Sequence, residues 1–176
     1  MEPLLWLANH LYYHSEVMKA AVMKATSGLA LVLVLLISGC GASQSSLQIV
    51  HLASLSASTD AFPSQTTLVI RDQQSWQDLW SRMNRNASPA PPVPAVDFTQ
   101  DMVLVAAAGT RNTGGYSVSI TGGVQSPGKA TVNVLITSPG TGCNVTLAFT
   151  SPVDMATTPR SNATIDFQIE QVARSC

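Results

Sequence analysis

Histidine, cysteine and the acidic residues are the side chains in this sequence that could support catalysis or bind a metal. His51 is the single histidine after residue 40, so a Ser-His-Asp or Cys-His arrangement would depend on it, and no partner motif accompanies it. Together with Cys143 and Cys176 it lacks the close ligand spacing of a zinc site. The acidic residues of this region, which show neither a paired-acid nor a calcium-loop spacing, are Asp60, Asp72, Asp78, Asp97, Asp101, Asp154, Asp166 and Glu170. We therefore expect no enzyme, no metal and no cofactor, and interpret most of these carboxylates as solvated groups or helix caps.

The overall charge balance argues against one class of partner. The chain has 9 Lys and Arg against 10 Asp and Glu, for a formal net charge of -1. A general nucleic-acid binder needs a basic face that neutralises phosphates, and this composition offers none. We expect no nucleic-acid partner.

A second chemical feature is Cys40, which follows a short apolar segment. Residues 28–37 carry no charge or proline, and two lysines precede them, as in a secretory signal. The segment is shorter than the roughly 20 apolar residues of a membrane-spanning helix. Its end, Ile37-Ser38-Gly39-Cys40, resembles the lipobox of bacterial lipoproteins. We therefore expect a signal peptide over residues 1–39, cleavage between Gly39 and Cys40, and lipidation of the Cys40 thiol; an ordinary cleaved signal or a short membrane anchor are the alternatives.

The predicted signal peptide and lipid lead to two further expectations, one on the first residue of the protein and one on its location. Residues 1–17 contain two glutamates and several aromatic residues, which is unlike the start of a signal, so we expect a misassigned start, with Met18 or Met23 as the first residue; a long amphipathic leader is the alternative. A lipid on Cys40 would place the protein in the cell envelope, attached to the membrane. Gly41 is not the Asp that retains many lipoproteins in the inner membrane, which favours the outer membrane if the cell has one.

The sequence after Cys40 is rich in Ser, Thr, Val, Gly and Pro, a composition typical of short strands joined by turns. We expect residues 40–46 to form a lipidated tether, because 41–46 are small and polar, and residues 47–176 to form a single domain. Strands are predicted at residues 47–55, 66–70, 102–107, 116–120, 130–136, 143–149 and 165–172. The run 102–107 is almost wholly apolar, which indicates a central strand buried on both faces. Gly122-Gly123 and Ser126-Pro127-Gly128 supply turn residues, and a loop is expected around Pro152 and Pro159.

One helix is predicted, from the N-cap Ser75 to about residue 82. Its four large apolar residues, which fall on one face and indicate core anchors rather than a ligand platform, are Trp76, Leu79, Trp80 and Met83. The proline-rich residues 86–96 cannot form regular structure and predict an extended connector. The economical assembly is an α+β fold, a mainly antiparallel sheet with one amphipathic helix packed on it.

The turn after the buried strand resembles a known signature. Gly109-Thr110-Arg111-Asn112-Thr113-Gly114-Gly115-Tyr116 is similar to the turn of the PrcB C-terminal domain family, and Pro139-Gly140-Thr141-Gly142-Cys143 matches its later element. The resemblance extends over residues 66–172, including the Trp-containing helix and Phe98. It departs from the family pattern at Asn112, where proline is usual, and at Ser151-Pro152-Val153, which replaces a proline and aromatic pair.

The resemblance implies a function, because the family is named after a lipoprotein subunit of a surface protease complex. It implies a non-catalytic lipoprotein that binds, stabilises or localises a partner protein, such as a protease. The turn residues that would offer a binding surface are Gly109, Arg111, Thr113, Gly114, Gly115 and Tyr116. A tight hairpin with a purely structural role is the competing interpretation of this turn. A small-molecule-binding module and a hydrolase of envelope polymers with distant Asp residues are the alternative functions.

Cys143 and Cys176 are the two cysteines that remain after Cys40. If the domain is exported, its compartment can be oxidising, and we expect these two residues to form a disulfide. Free thiols, buried at Cys143 and loose at Cys176, are the alternative.

Overall fold

Eight strands and one helix build the part of the chain that this computed structural model describes, residues 43–176. Their bounds in chain order are β1 Ser45–Ser46, β2 Val50–Ser56, β3 Thr66–Ile70, α1 Gln73–Met83, β4 Asp101–Ala107, β5 Ser117–Ser126, β6 Lys129–Pro139, β7 Pro152–Pro159 and β8 Thr164–Arg174. Residues 45 and 46, which the sequence assigned to the tether, already pair with β5. No helix in the described residues is long and apolar enough to cross a membrane.

The predicted α+β class is wrong, because residues 43–176 are mostly β, with 47% in strands against 8% in a helix. The strands form two four-stranded sheets instead of one. Sheet I has the order β1-β5-β6-β8, and sheet II has the order β2-β7-β4-β3. Sheet II is antiparallel throughout, whereas β6 and β8 of sheet I run parallel. The helix is thus a small addition to a two-sheet β architecture.

The largest local difference from the prediction is β7, which the sequence indicated as a loop. Pro152 and Pro159 are its first and last residues, so neither proline interrupts the pairing inside the strand. Val153 and Met155 pack beside the helix, while Ala156 packs between the sheets. Conversely, residues 143–149, predicted as a strand, form none. Sheet II therefore has β7 at its centre, paired with both β2 and β4.

The surroundings of strand β4 explain why its sequence is an uninterrupted apolar run. Val103 and Val105 face a core that includes the helix, and Leu104 and Ala106 face a second core shared with sheet I. Both faces of the strand are covered, so the alternation expected of a half-exposed strand is absent. The prediction of a central strand buried on both faces is confirmed.

Helix α1 begins earlier than predicted, with Asp72 as its N-cap instead of Ser75. The Ser75 backbone N–H and hydroxyl both donate to the Asp72 carboxylate, and these bonds lower the pKa of Asp72. The apolar face is buried, as its spacing predicts. The indole N–H groups of Trp76 and Trp80 donate to the carbonyls of Pro94 and Pro91, each at 2.9 Å. The proline-rich connector therefore supplies backbone acceptors to the tryptophans.

Two glycines predicted as turn residues lie inside a strand. Gly122 and Gly123 belong to β5, where the register with β6 shifts between Ile120 and Gly122, as in a β-bulge. The connection between β5 and β6 is the turn after Ser126, in which Gly128 has a φ of 77°. Strand β5 consequently extends through ten residues.

Candidate functional site

The turn motif, residues 109–116, joins β4 to β5. These strands belong to different sheets, so the motif is a crossing between sheets and not the tight hairpin that was the competing interpretation. Gly109 and Gly115 have φ values of 83° and 84°, a region that residues with a side chain rarely adopt. A Cβ on Gly109 would also lie 2.7 Å from the backbone of Ser64 and Gln65. The motif therefore needs glycine for both conformation and close approach.

A second segment, residues 140–150, packs along the turn motif through backbone hydrogen bonds. The Gly114 N–H donates to the Thr146 carbonyl at 2.9 Å. Arg111 and Thr150 exchange two backbone bonds, of 2.7 and 2.9 Å. The Thr150 hydroxyl donates to the Thr113 carbonyl at 2.9 Å. We call residues 109–116 and 140–150 together the rim. A Cβ on Gly115 would lie 3.2 Å from the Pro139 side chain, so the two sequence elements that suggested the family are also neighbours in space.

The side chain of Arg111 is engaged within the rim. Its Nη2 donates to the Ala108 carbonyl at 2.6 Å, and its guanidinium lies 5.1 Å from the centroid of the Tyr116 ring. A cation over an aromatic face is attracted by the ring quadrupole. Both side chains remain partly exposed. Arg111 and Tyr116 therefore form a fixed pair that presents a polar and aromatic surface at the start of β5.

The predicted cysteine pair holds the other end of the rim. Cys143 and Cys176 are joined as a disulfide, with their Cα atoms 5.5 Å apart. The Gly140 N–H donates to the Arg174 carbonyl at 2.9 Å. A Cβ on Gly140 would lie 2.6 Å from that carbonyl oxygen, so the close approach requires glycine. Residues 140–143 are thereby attached to the end of β8.

The rim also exposes large apolar side chains. Leu147 is 92% exposed and Phe149 is 72% exposed, the two highest values among the large hydrophobic residues described. Residues 140–150 contain no charged side chain. Burying such side chains against a partner would release them from water, which is the main favourable term in association. Sequence reasoning missed this surface because it placed these residues in a strand.

A groove of about 260 Å³ opens beside the rim. Its lining includes Ser54, Leu55 and Ser56 from β2, Tyr116 and Val118 near the start of β5, and Pro152. The free edges of both sheets meet at this groove, since β2 and β5 each pair with one strand there. The groove is therefore continuous with the rim through Tyr116.

Asp154 is a fully buried carboxylate between the sheets, although most of the acidic residues were predicted to be solvated or to cap helices. It accepts hydrogen bonds from the Ser54 hydroxyl and, at 2.7 Å, from the Ile120 N–H. Nδ1 of His51, a side chain 54% exposed, lies 3.4 Å from the same carboxylate. We call these groups the Asp154 cluster. An acid within the apolar run 153–156 was the available signal, because Asp is seldom buried unless paired.

The Asp154 cluster has the composition of a catalytic triad but a different arrangement. In a Ser-His-Asp triad the histidine lies between the serine and the carboxylate. Here Ser54 donates to Asp154 directly, and His51 contacts the same carboxylate. The arrangement joins β2 and β7 of sheet II to β5 of sheet I. Its evident chemical effect is to satisfy a buried charge.

Gly39 and Cys40, the predicted cleavage and lipidation site, lie outside the described residues. The turn residues named from the sequence are brought together in the rim, with Gly109 and Gly114 buried and the others at least partly exposed. The predicted disulfide is present, and a binding role for the rim stays a prediction. The sequence prediction of a metal-free protein likewise stays a prediction.

Fold and rim together define a two-sheet β domain with a glycine-dependent crossing and a disulfide-attached loop. Residues 102–159 match the family model described as PrcB C-terminal. The matched segment runs from β4 to β7 and includes the whole rim, so the resemblance to the PrcB C-terminal domain family is confirmed. No curated protein and no solved structure matches the chain significantly.

Proposed function

We propose that this chain is a non-catalytic, lipid-anchored envelope protein that binds, stabilises or localises a partner protein. The observation that carries the proposal is the PrcB C-terminal match, which includes the whole rim. The family name points to a subunit of a protease complex, and a protease is therefore the partner class we expect. The direct contact of both Ser54 and His51 with Asp154 favours the non-catalytic assignment.

The rim is the surface proposed for the partner. Leu147 and Phe149 supply exposed apolar area, and the Arg111–Tyr116 pair lies on the same rim. Aromatic residues and arginine are enriched where protein interfaces concentrate their binding energy. Residues 140–150 are held in place by the disulfide and by backbone bonds to residues 109–116. This restriction reduces the entropy lost on binding.

The first paired residues of the described chain and the rim lie at opposite ends of β5. Ser45, within the predicted tether, pairs with Gln125, whereas Tyr116 precedes the first residue of the strand. Ten residues of strand span about 30 Å. A chain from Cys40 would therefore enter the domain near the end of β5 that is opposite the rim.

The anchor is tested by metabolic labelling with radioactive palmitate. We expect the label to enter the wild-type protein and to be absent from Cys40→Ser, because the thiol is the predicted acceptor of the diacylglycerol. Cys176→Ser provides the matched control and should still be labelled. Equal labelling of wild type and Cys40→Ser would refute the lipidation site.

The rim is tested by crosslinking in cells, followed by quantitative mass spectrometry. The double variant Leu147→Ser, Phe149→Ser should lose at least about tenfold of any reproducible crosslinked partner, because interface energy is concentrated in a few apolar anchors. Val50→Ser is the matched control, since Val50 is 65% exposed at the other end of β2 from the groove. No reproducible partner for the wild type, or an equal yield from all three proteins, would contradict the proposal.

A small-molecule-binding module remains the second candidate, and the groove beside Tyr116 is the observation that favours it. A thermal-shift screen of small molecules would detect a ligand that stabilises the folded chain. A stabilising ligand whose effect is lost in Tyr116→Ala would replace the partner-binding proposal for this surface.

A further inference from the structure

We propose that the groove binds a short extended segment of the partner polypeptide, which adds as a strand to the free edge of β5. This inference rests on the proposed function and names the form in which the partner is recognised. In strand addition, main-chain hydrogen bonds to an exposed edge provide affinity and side-chain pockets provide specificity.

The edge of β5 has main-chain groups that face away from its sheet. Within residues 43–176, the part of β5 from Ser117 to Gly122 pairs only with β6. The Ile120 N–H donates to Asp154, so it points away from β6. Backbone groups two residues apart in a strand point to the same side, and the register is regular between residues 118 and 120. The N–H and carbonyl of Val118, which lines the groove, therefore face the free edge.

An extended segment already occupies the far part of this edge. Strand β1 pairs Ser45 with Gln125 and Ser46 with Val124, and the Leu47 N–H donates to the Gly123 carbonyl at 2.9 Å. The chain then leaves the edge to form β2. The edge of β5 thus already pairs with one extended polypeptide backbone. We infer an occupant of the same kind for the vacant part of this edge.

The groove limits the length and side chains of that occupant. Ser54 and Ser56 of β2 form part of its lining, and both are small. Their hydroxyls are engaged, Ser54 with Asp154 and Ser56 with the Ser151 N–H. Of the Asp154 cluster only Ser54 lines the groove, and Tyr116 lies where the groove meets the rim. A volume of about 260 Å³ suits a few residues with small side chains facing β2.

The test uses the purified full-length chain and a phage-displayed library of random linear peptides as the probe. A selected peptide is synthesised, and its affinity is measured by fluorescence anisotropy. Replacing the Ser117–Val118 amide by an ester, with the valine side chain retained, removes the Val118 N–H. We expect this replacement to weaken peptide binding roughly three- to tenfold, the effect of one main-chain hydrogen bond. Hydrogen exchange should show protection of the Val118 amide by the peptide.

The same replacement at Ser119 is the matched control, because that N–H points toward β6. It should lower the melting temperature and, at a temperature where the fold persists, weaken peptide binding less than the ester at Val118 does, because it removes no free-edge N–H and only makes the Val118 carbonyl a weaker acceptor. The inference is overturned if no peptide is selected above background, or if a selected peptide protects residues 140–150 and is insensitive to the ester at Val118. Either result leaves the proposed function to be decided by the crosslinking of the Leu147 and Phe149 variant.

Discussion

Asp154→Ala should lower the free energy of unfolding by about 3 kcal/mol, measured by urea denaturation. The carboxylate is fully buried and is bonded to the Ser54 hydroxyl and the Ile120 N–H, with His51 also in contact. Removing the acceptor leaves the Ile120 N–H unsatisfied in the core, and a bond to a charged acceptor contributes about 1.5–3 kcal/mol. Relief of the cost of burying the charge offsets part of the loss. The expected value therefore lies near the lower limit for two such bonds.

Asp166→Ala provides the matched control for removal of a carboxylate. Asp166 forms an ion pair with Lys129 in which both side chains are about half exposed, and such pairs contribute roughly 0–1 kcal/mol. A difference of less than about 1 kcal/mol between the two variants would show that the Asp154 cluster does not stabilise the contact between the sheets. Ser54→Ala should fall between them, because it removes one donor and retains the acceptor for Ile120.

The local parts of the fold could be predicted from the sequence because their signals are local. Trp76 and Trp80 share a helical face by spacing alone, and both are buried. The apolar run of β4 indicates two covered faces. In β5, Val118 and Ile120 alternate with serines, which indicates one covered face. In each case the residues that set the pattern are those that occupy the element.

The sheet arrangement could not be predicted because it depends on pairs distant in the chain. Strand β6 continues the sheet by pairing in parallel with β8, whereas β4 and β5, adjacent in sequence, lie in different sheets. Pro152 and Pro159 indicated a loop, since nothing local shows that they mark the ends of a strand. Because β7 was predicted as a loop, the burial of Asp154 between the sheets was not predicted either.

The rim could be predicted only where its signals are local in the sequence. The glycines of the turn motif indicate unusual backbone conformation, and Gly109 and Gly115 have it. Which segment the turn contacts depends on tertiary bonds, such as that from Gly114 to Thr146, which leave no trace in the spacing of residues. The exposure of Leu147 and Phe149 follows from that placement and was therefore missed.

Cys176→Ser should lower the free energy of unfolding by about 3–4 kcal/mol under non-reducing conditions. The disulfide joins residues separated by 33 positions, and in the chain-entropy account a loop of this size restricts the unfolded state by that amount. The variant also releases the attachment of residues 140–143 to the end of β8. We therefore expect faster hydrogen exchange across residues 140–150, while β4, buried on both faces, keeps its protection.

Reductant distinguishes the cross-link from the other effects of the substitution. It should reduce the stability of the wild type to that of Cys176→Ser and leave the variant unchanged. Equal stabilities without reductant would contradict the contribution of the disulfide. Cys176→Ser also tests whether the attachment of residues 140–143 favours partner binding, because a loop that must be ordered on binding loses affinity through entropy. If the rim is the partner surface, crosslinking should fall in Cys176→Ser although Leu147 and Phe149 are both present.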